Sequence, residues 1–197
     1  MNAKIEIMGI SADTCSVEEI IKSINAHWNQ KDSLSTYGVL NMKLLMAAQK
    51  DEELKGYIEM LDKTVADETE VLQAAGIEDR ELEQETSQHG FLGTLFWLLA
   101  QYRNHIFLLG ENQEDTEDMF QYLHEKYPDI IIAGKDSLQG GGADQVDRVI
   151  NEINSLSPQA VLSCSRTYEM EKFATNNRTM IHIRVWFSLG KCREILK

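Results

Sequence analysis

The chain has 197 residues, 43% of them hydrophobic and only two of them proline, enough to fill one sizeable core without a linker. With 32 acidic and 19 basic residues its formal net charge is −13, which excludes broad electrostatic contact with nucleic acid or an anionic membrane. Its three cysteines, Cys15, Cys164 and Cys192, are odd in number and scattered, the pattern of a reduced, intracellular protein rather than a disulfide scaffold.

The first residues, MNAKIEIMGIS, lack the basic and long apolar regions of a signal peptide. Lys4–Met8 reads as a strand closed by Gly9. Ser16 and Glu19 form a capping box ahead of Val17, Ile20, Ile21, Ile24 and Trp28 at helical spacing. A polar loop, Asn29–Ser33, leads to a strand at Thr36–Leu40. Asn41 then caps a helix carrying Leu44, Leu45 and Ala48, and Asp51 opens another carrying Leu54, Tyr57, Ile58 and Leu61. Lys63–Ala66 is a brief strand with Asp67 at its end, and Thr69–Ala75 a short helix stopped by Gly76. Residues 77–90 are acidic and have no apolar period, so they read as a loop over the sheet edge or an irregular helix. Phe91–Tyr102 is a buried helix, and the apolar tract 91–100 inside it covers about half a membrane span.

The centre of the chain is a strand–helix–strand unit. His105–Leu109, ending at Gly110, and Ile130–Ala133, ending at Gly134, are continuous apolar runs suited to strands buried on both faces. Between them Met119, Phe120, Leu123 and Tyr127 recur at helical spacing, with Asn112 or Asp115 as N-cap and Pro128 as the stop. The two strands are expected to lie parallel, as neighbours or one apart, with Gly110 and Gly134 at the same edge. Beyond Gly134, SLQGGGAD reads as a mobile loop. A helix at Gln145–Ser155, a strand at Ala160–Ser163, a helix at Thr167–Thr175 and an alternating strand at Thr179–Phe187 complete the pattern. The sum is a single α/β domain, 1–197, with a Rossmann-like three-layer architecture and a largely parallel sheet.

In such sheets ligands bind beyond the carboxyl ends of the strands, which singles out Asn41, Asp67, Gly110, Asn112, Gly134 and the residues after Ser163. The Gly110 turn holds one glycine, so it is neither a dinucleotide fingerprint nor a Walker loop, and it reads equally as a tight strand-to-helix turn. Asp67 reads either as a general base acting on a hydroxyl or as a helix cap. Gly140–Gly142 is a flexible stretch or a loop that closes over a ligand. His27, His89, His105, His124 and His182 share no ligand spacing, and Asp67, Glu68 and Glu70 read as a solvated turn, so no metal and no cofactor is expected.

These residues together resemble the bacterial WecG/TagA/CpsF glycosyltransferases, which move N-acetylmannosamine or a related sugar from a nucleotide donor to a lipid-pyrophosphate-linked sugar. The resemblance rests on Val39-Leu40-Asn41, Lys50-Asp51-Glu52-Glu53-Leu54, Ala66-Asp67-Glu68, Phe107–Gly110, Lys126-Tyr127-Pro128 and Ile153–Gln159, in the family's order. It implies Asp67 as catalytic base, Asn41, Gly110, Asn112, Gly134 and Glu171 as substrate-binding residues, and a UDP-sugar donor in cell-envelope polysaccharide synthesis. Several family positions differ. Val39 stands for a threonine, Glu68 for a glycine, Glu85 for an arginine and Met170 for a glutamine. His182-Ile183 fall near a glycine pair, and the family's basic C-terminal segment has no counterpart. Three functions therefore follow: a divergent hexosyltransferase, a pseudoenzyme serving as binding or assembly partner of an active glycosyltransferase, or an unrelated small-ligand binder. The protein is expected to be cytoplasmic, without strong membrane binding, and a homo-oligomer is compatible with each.

Overall fold

The computed structural model describes residues 4–28 and 34–190, with His27 and Trp28 by their backbone only; the loop expected at 29–33 and the chain beyond 190 lie outside these. The first elements are β1 (Ile5–Ile7) and β2 (Ile10–Ala12), an antiparallel hairpin turned by Met8 and Gly9, both at positive φ. The sequence predicts only the first of these strands, because three residues are too few to display a period. Behind the hairpin, α1 (Val17–Trp28) starts at the expected capping box: the Ser16 N–H donates to Glu19 Oε2 at 3.0 Å and the Glu19 N–H to Ser16 Oγ at 3.3 Å.

Among the described residues the main sheet has six strands, all parallel: β3 (Ser35–Leu40), β4 (Lys63–Ala66), β5 (His105–Gly110), β6 (Ile131–Ser137), β7 (Ala160–Cys164) and β8 (Val185–Ser188). Their spatial order is β4-β3-β8-β7-β5-β6. Strand residues alternate between two helical layers. Tyr37, Val39, Val65, Ile106, Leu108, Leu162 and Phe187 pack towards α1, α6 (Gly90–Gln101) and α7 (Gln113–Lys126). Leu40, Phe107, Leu109, Val161 and Trp186 pack towards α2 (Met42–Ala48), α3 (Glu52–Met60), α8 (Ala143–Leu156) and α9 (Glu169–Asn176). Each large apolar side chain taken fully out of water in these layers contributes about 1.5–3 kcal/mol. The fold is the expected Rossmann-like three-layer arrangement.

The helices α2, α3 and α7 begin where the sequence places caps. The Asn41 Oδ1 accepts the Leu44 N–H at 2.8 Å, Asp51 Oδ1 the Glu53 N–H at 3.0 Å, and Asn112 Oδ1 the Asp115 N–H at 2.9 Å. Two short helices, α4 (Thr69–Ala74) and α5 (Arg80–Ser87), connect β4 to α6. The second resolves the choice left open for residues 77–90: Asp79 caps it, and it shows no apolar stripe because Thr86 is its one buried residue.

Two expectations are corrected. β5 and β6 are parallel neighbours, but β6 runs on to Ser137, which pairs with Gly110, while Gly134 pairs with Phe107 inside the strand. Gly134 is therefore absent from the carboxyl edge. A Cβ there would meet the Phe107 ring and Leu156 Cδ1, the nearest at 2.6 Å, so the glycine serves close packing. The polar Lys135 and Asp136 hid the rest of β6, an edge strand mostly half-exposed up to the buried Ser137. The second correction is β8, which begins only at Val185. Ile181 and Ile183 are buried against the α8–α9 side of the core, so the alternation over 179–184 reflects packing without strand pairing.

Candidate active site

The carboxyl end of β4 opens onto a small cleft between that strand and the α5–α6 turn. Asp67, one residue beyond β4, is anchored by its own N–H, which donates to the Leu40 carbonyl at 2.8 Å. Its side chain is 11% exposed, and Oδ1 lies 3.0 Å from Nδ1 of His89. Burial lifts the Asp67 carboxyl above its ordinary value, against the opposing pull of the His89 bond and charge. The side chain does not cap α4, whose N-cap is Glu68 without a side-chain bond. The cleft is lined by Cys15, Val39, Asp67, Glu85, His89 and Phe91 among others, and its space of about 20 Å³ holds little more than one water. Cys15 takes no part as a thiolate, because burial, followed by its bond to Asp13, pushes its thiol up to about 12.

The neighbouring carboxylates are committed to helix ends. Glu85 Oε2 accepts the Val17 N–H at 3.1 Å, holding α5 against the start of α1. Glu68 Oε2 accepts the Met42 N–H at 3.0 Å, tying β4's exit to α2. Both place negative charge at a helix N-terminus, where the dipole favours it. Asn41, at the end of the adjacent strand β3, is equally occupied as the α2 cap.

A second group of candidates sits at the ends of β5 and β7. Gly110 makes the tight strand-to-helix turn, and a Cβ there would collide with the Thr116 side chain and with the Asn112 carbonyl. Asn112 caps α7. The Glu111 carboxylate reaches across into the β7–α9 loop: Oε2 accepts from Ser165 Oγ (2.9 Å), the Arg166 N–H (2.8 Å) and the Thr167 N–H (3.0 Å), and Oε1 from Thr167 Oγ1 (2.9 Å). Burial alone would raise the Glu111 carboxyl, but these donors outweigh it and hold it below its ordinary value. Arg166 itself binds Asp115 Oδ1 through Nε at 2.8 Å and a terminal nitrogen at 2.6 Å. Beside this network lies a recess of about 700 Å³ walled by Asn112, Gly140, Gly141, Glu169 and Lys172. Glu171, in the first turn of α9, is only 2% exposed, and burial pushes its carboxyl up to about 7.

The sequence-selected residues thus fall into two clusters. Asn41 and Asp67 share the β3–β4 end. Gly110 and Asn112 lie at β5, four strand spacings away in the order β4-β3-β8-β7-β5, roughly 19 Å at about 4.8 Å each. The Gly110 turn is therefore no wall of the Asp67 cleft, and its N–H groups are largely taken. Glu111 N–H donates to the Cys164 carbonyl, Gln113 N–H to Gln139 Oε1 and Asp115 N–H to Asn112. Sequence reasoning missed His89 and Glu111. His89 pairs with a residue 22 positions away, for which no spacing rule exists, whereas Glu111's place next to the turn glycine was a usable signal.

Among the described residues no group of three or more His, Cys, Asp or Glu side chains could hold a metal ion, and no helix is long and apolar enough to cross a membrane. No curated protein matches the chain significantly. The model of the glycosyl transferase WecG/TagA/CpsF family does match, over residues 5–196, which takes in the Asp67 cleft, the Glu111 network and every strand described above. The chain belongs to the WecG/TagA/CpsF glycosyltransferase family.

Proposed function

We propose that the chain transfers a hexosyl group from a UDP-sugar to a hydroxyl of a lipid-linked or other sugar acceptor in cell-envelope polysaccharide synthesis, on the cytoplasmic side. The observation that carries this reading is Asp67: a buried carboxylate at a strand end, open to a cleft and bonded to a histidine instead of capping a helix. Transfer to a hydroxyl needs a group that takes the hydroxyl proton as the oxygen attacks, and a buried carboxylate bonded to an imidazole serves this step either directly or by orienting the ring. The donor would lie along the carboxyl edge, with its sugar at the β3–β4 end and its nucleotide towards the 700 Å³ recess.

A second reading, a binding partner without turnover, is favoured by Glu111. The donors most suited to a diphosphate, the Arg166 and Thr167 N–H groups, already hold that carboxylate. Calorimetric titration with UDP and a panel of UDP-sugars, followed by transfer and hydrolysis assays, separates the two. Turnover supports the transferase, and UDP binding without turnover supports the partner role. Under the transferase reading, Asp67→Asn lowers turnover by about 10²-fold or more and leaves UDP binding unchanged. Undiminished transfer by this variant would show that Asp67 has no part in the chemistry.

A further inference from the structure

We propose that His89 is the proton acceptor for the attacking sugar hydroxyl, and that Asp67 acts through it as the positioning residue. The inference rests on the transferase reading above and assigns the base within it.

Access separates the two side chains. Asp67 is 11% exposed with Oδ1 tied to the imidazole, whereas His89 is 45% exposed and lines the same cleft. A base must come within about 3 Å of the proton it takes. The imidazole is the more exposed of the pair and so the one that an incoming hydroxyl meets first. In the proposed arrangement Nδ1–H donates to the Asp67 carboxylate, which leaves Nε2 to carry the lone pair. No hydrogen bond to Nε2 is made among the described residues.

The backbone gives independent support. His89 is held at φ 49 and ψ 39, a left-handed conformation that a non-glycine residue adopts at a cost of about 1–2 kcal/mol. The fixing contacts are its N–H to the Thr86 carbonyl at 3.1 Å and its own carbonyl, which accepts the Leu92 N–H at 3.1 Å at the start of α6. This geometry carries the imidazole back to the β4 end, where it meets Asp67.

The surrounding groups suit a cation that forms during the reaction. Asp67 contacts the ring from the end of β4, and Glu85 of α5 and the neutral Cys15 thiol line the same cleft, with Asp13 bonded to Cys15 and Lys63 3.9 Å from Asp13. Glu68 and Glu85 accept backbone N–H groups at helix N-termini. In the step itself, the hydroxyl proton passes to Nε2 and the hydroxyl oxygen bonds to the anomeric carbon of the donor. The bond from that carbon to the diphosphate oxygen breaks, its electron pair leaves with the nucleoside diphosphate, and the imidazolium sits against the Asp67 carboxylate. The proton is then released to solvent.

The test uses the full chain in two parts. Two-bond nitrogen–proton NMR reads the His89 tautomer without any substrate: the Nδ1–H form is expected in the wild type and its loss in Asp67→Ala. An Nε2–H ring in the wild type overturns the proposal. Kinetics then use UDP-N-acetylmannosamine with a short-chain lipid-diphosphate-linked N-acetylhexosamine. His89→Asn, which tolerates the left-handed backbone, is expected to lower kcat by about 10²-fold or more with little change in KM. Combining it with Asp67→Asn should cost no more than the worse single change. His89→Gly, which also suits positive φ, should regain turnover with added imidazole, a result no structural role gives. If His89→Asn retains kcat within about threefold while Asp67→Asn abolishes it, Asp67 is the base and the proposal is wrong. If the wild type turns over no donor in the UDP-sugar panel, the transferase reading fails and this assignment with it, whatever the tautomer shows.

Discussion

Glu111 and Glu171 show how one chemistry is driven in opposite directions by its surroundings. Glu111 is partly buried, yet two hydroxyls and two backbone N–H groups hold it ionised. Glu171 is enclosed on α9, its Oε2 has no hydrogen-bond partner, and burial above all, aided by the charges of Glu111 and Glu169, lifts its carboxyl from 4.5 to about 7. An acid whose folded-state pKa is raised binds its proton more tightly in the folded state, so its stability is highest at low pH. That stability is lost as pH rises from about 4.5 to about 7 and stays lost above. The full loss amounts to about 3 kcal/mol. Glu171→Gln removes the ionisation and keeps the shape. It should be more stable than the wild type by up to about 3 kcal/mol at pH 8 and nearly equal to it at pH 4, as read by urea unfolding at both values. A constant difference at the two pH values would show that Glu171 does not titrate in this range. Glu171 enters this account as a buried acid, and the family resemblance alone carries its link to substrate.

At the scale of elements, Gly134 separates a ligand-edge glycine from a packing glycine. Its missing Cβ is the space filled by the fully buried Phe107 ring and by Leu156, which is 42% exposed and able to move. Gly134→Ala should therefore destabilise the domain by about 1–3 kcal/mol and leave UDP affinity unchanged. Weakened UDP binding at unchanged stability would restore the edge reading. The same strand explains what the sequence could and could not show. Helices were legible where a cap preceded an apolar stripe, as at Ser16, Asn41, Asp51 and Asn112, because capping and periodicity are local. The β5 and β7 strands were legible because both faces are buried and the runs are continuous. The end of β6 was not, since an edge strand tolerates Lys135 and Asp136, and α5 was not, since a helix stabilised by Asp79 and by docking on α6 needs no stripe of its own. The site followed the same division. Asp67 stood out from its place at a strand end, whereas the imidazole beside it arrives through tertiary structure alone.

For the molecule as a whole, the decisive feature is that the last of the described strands lies in the middle of the sheet. β8 pairs with β3 through Ser35–Gly38 and with β7 through Ala160–Ser163, and it is the ladder that joins β4-β3 to β7-β5-β6. Its Val185, Trp186 and Phe187 are fully buried, one or two of them on each face, so it also links both helical layers. The Asp67 cleft and the Glu111 network lie on opposite sides of this strand, and their spacing along the carboxyl edge depends on it. Contacts between β8 and β3 span most of the chain, and parallel pairings of such separation form late and slowly. A fragment of residues 1–184 should therefore lack a continuous sheet. We expect it to show reduced far-UV circular dichroism, no cooperative thermal transition and binding of a hydrophobic dye such as ANS. In the full chain Trp186, whose indole N–H donates to Ser163 Oγ at 2.9 Å, should report the same event by fluorescence, with its burial tracking the recovery of the sheet during refolding. A fragment that melts cooperatively at the full-length temperature would show that the two halves hold together without β8, and that the edge carrying the site is set by helix packing alone.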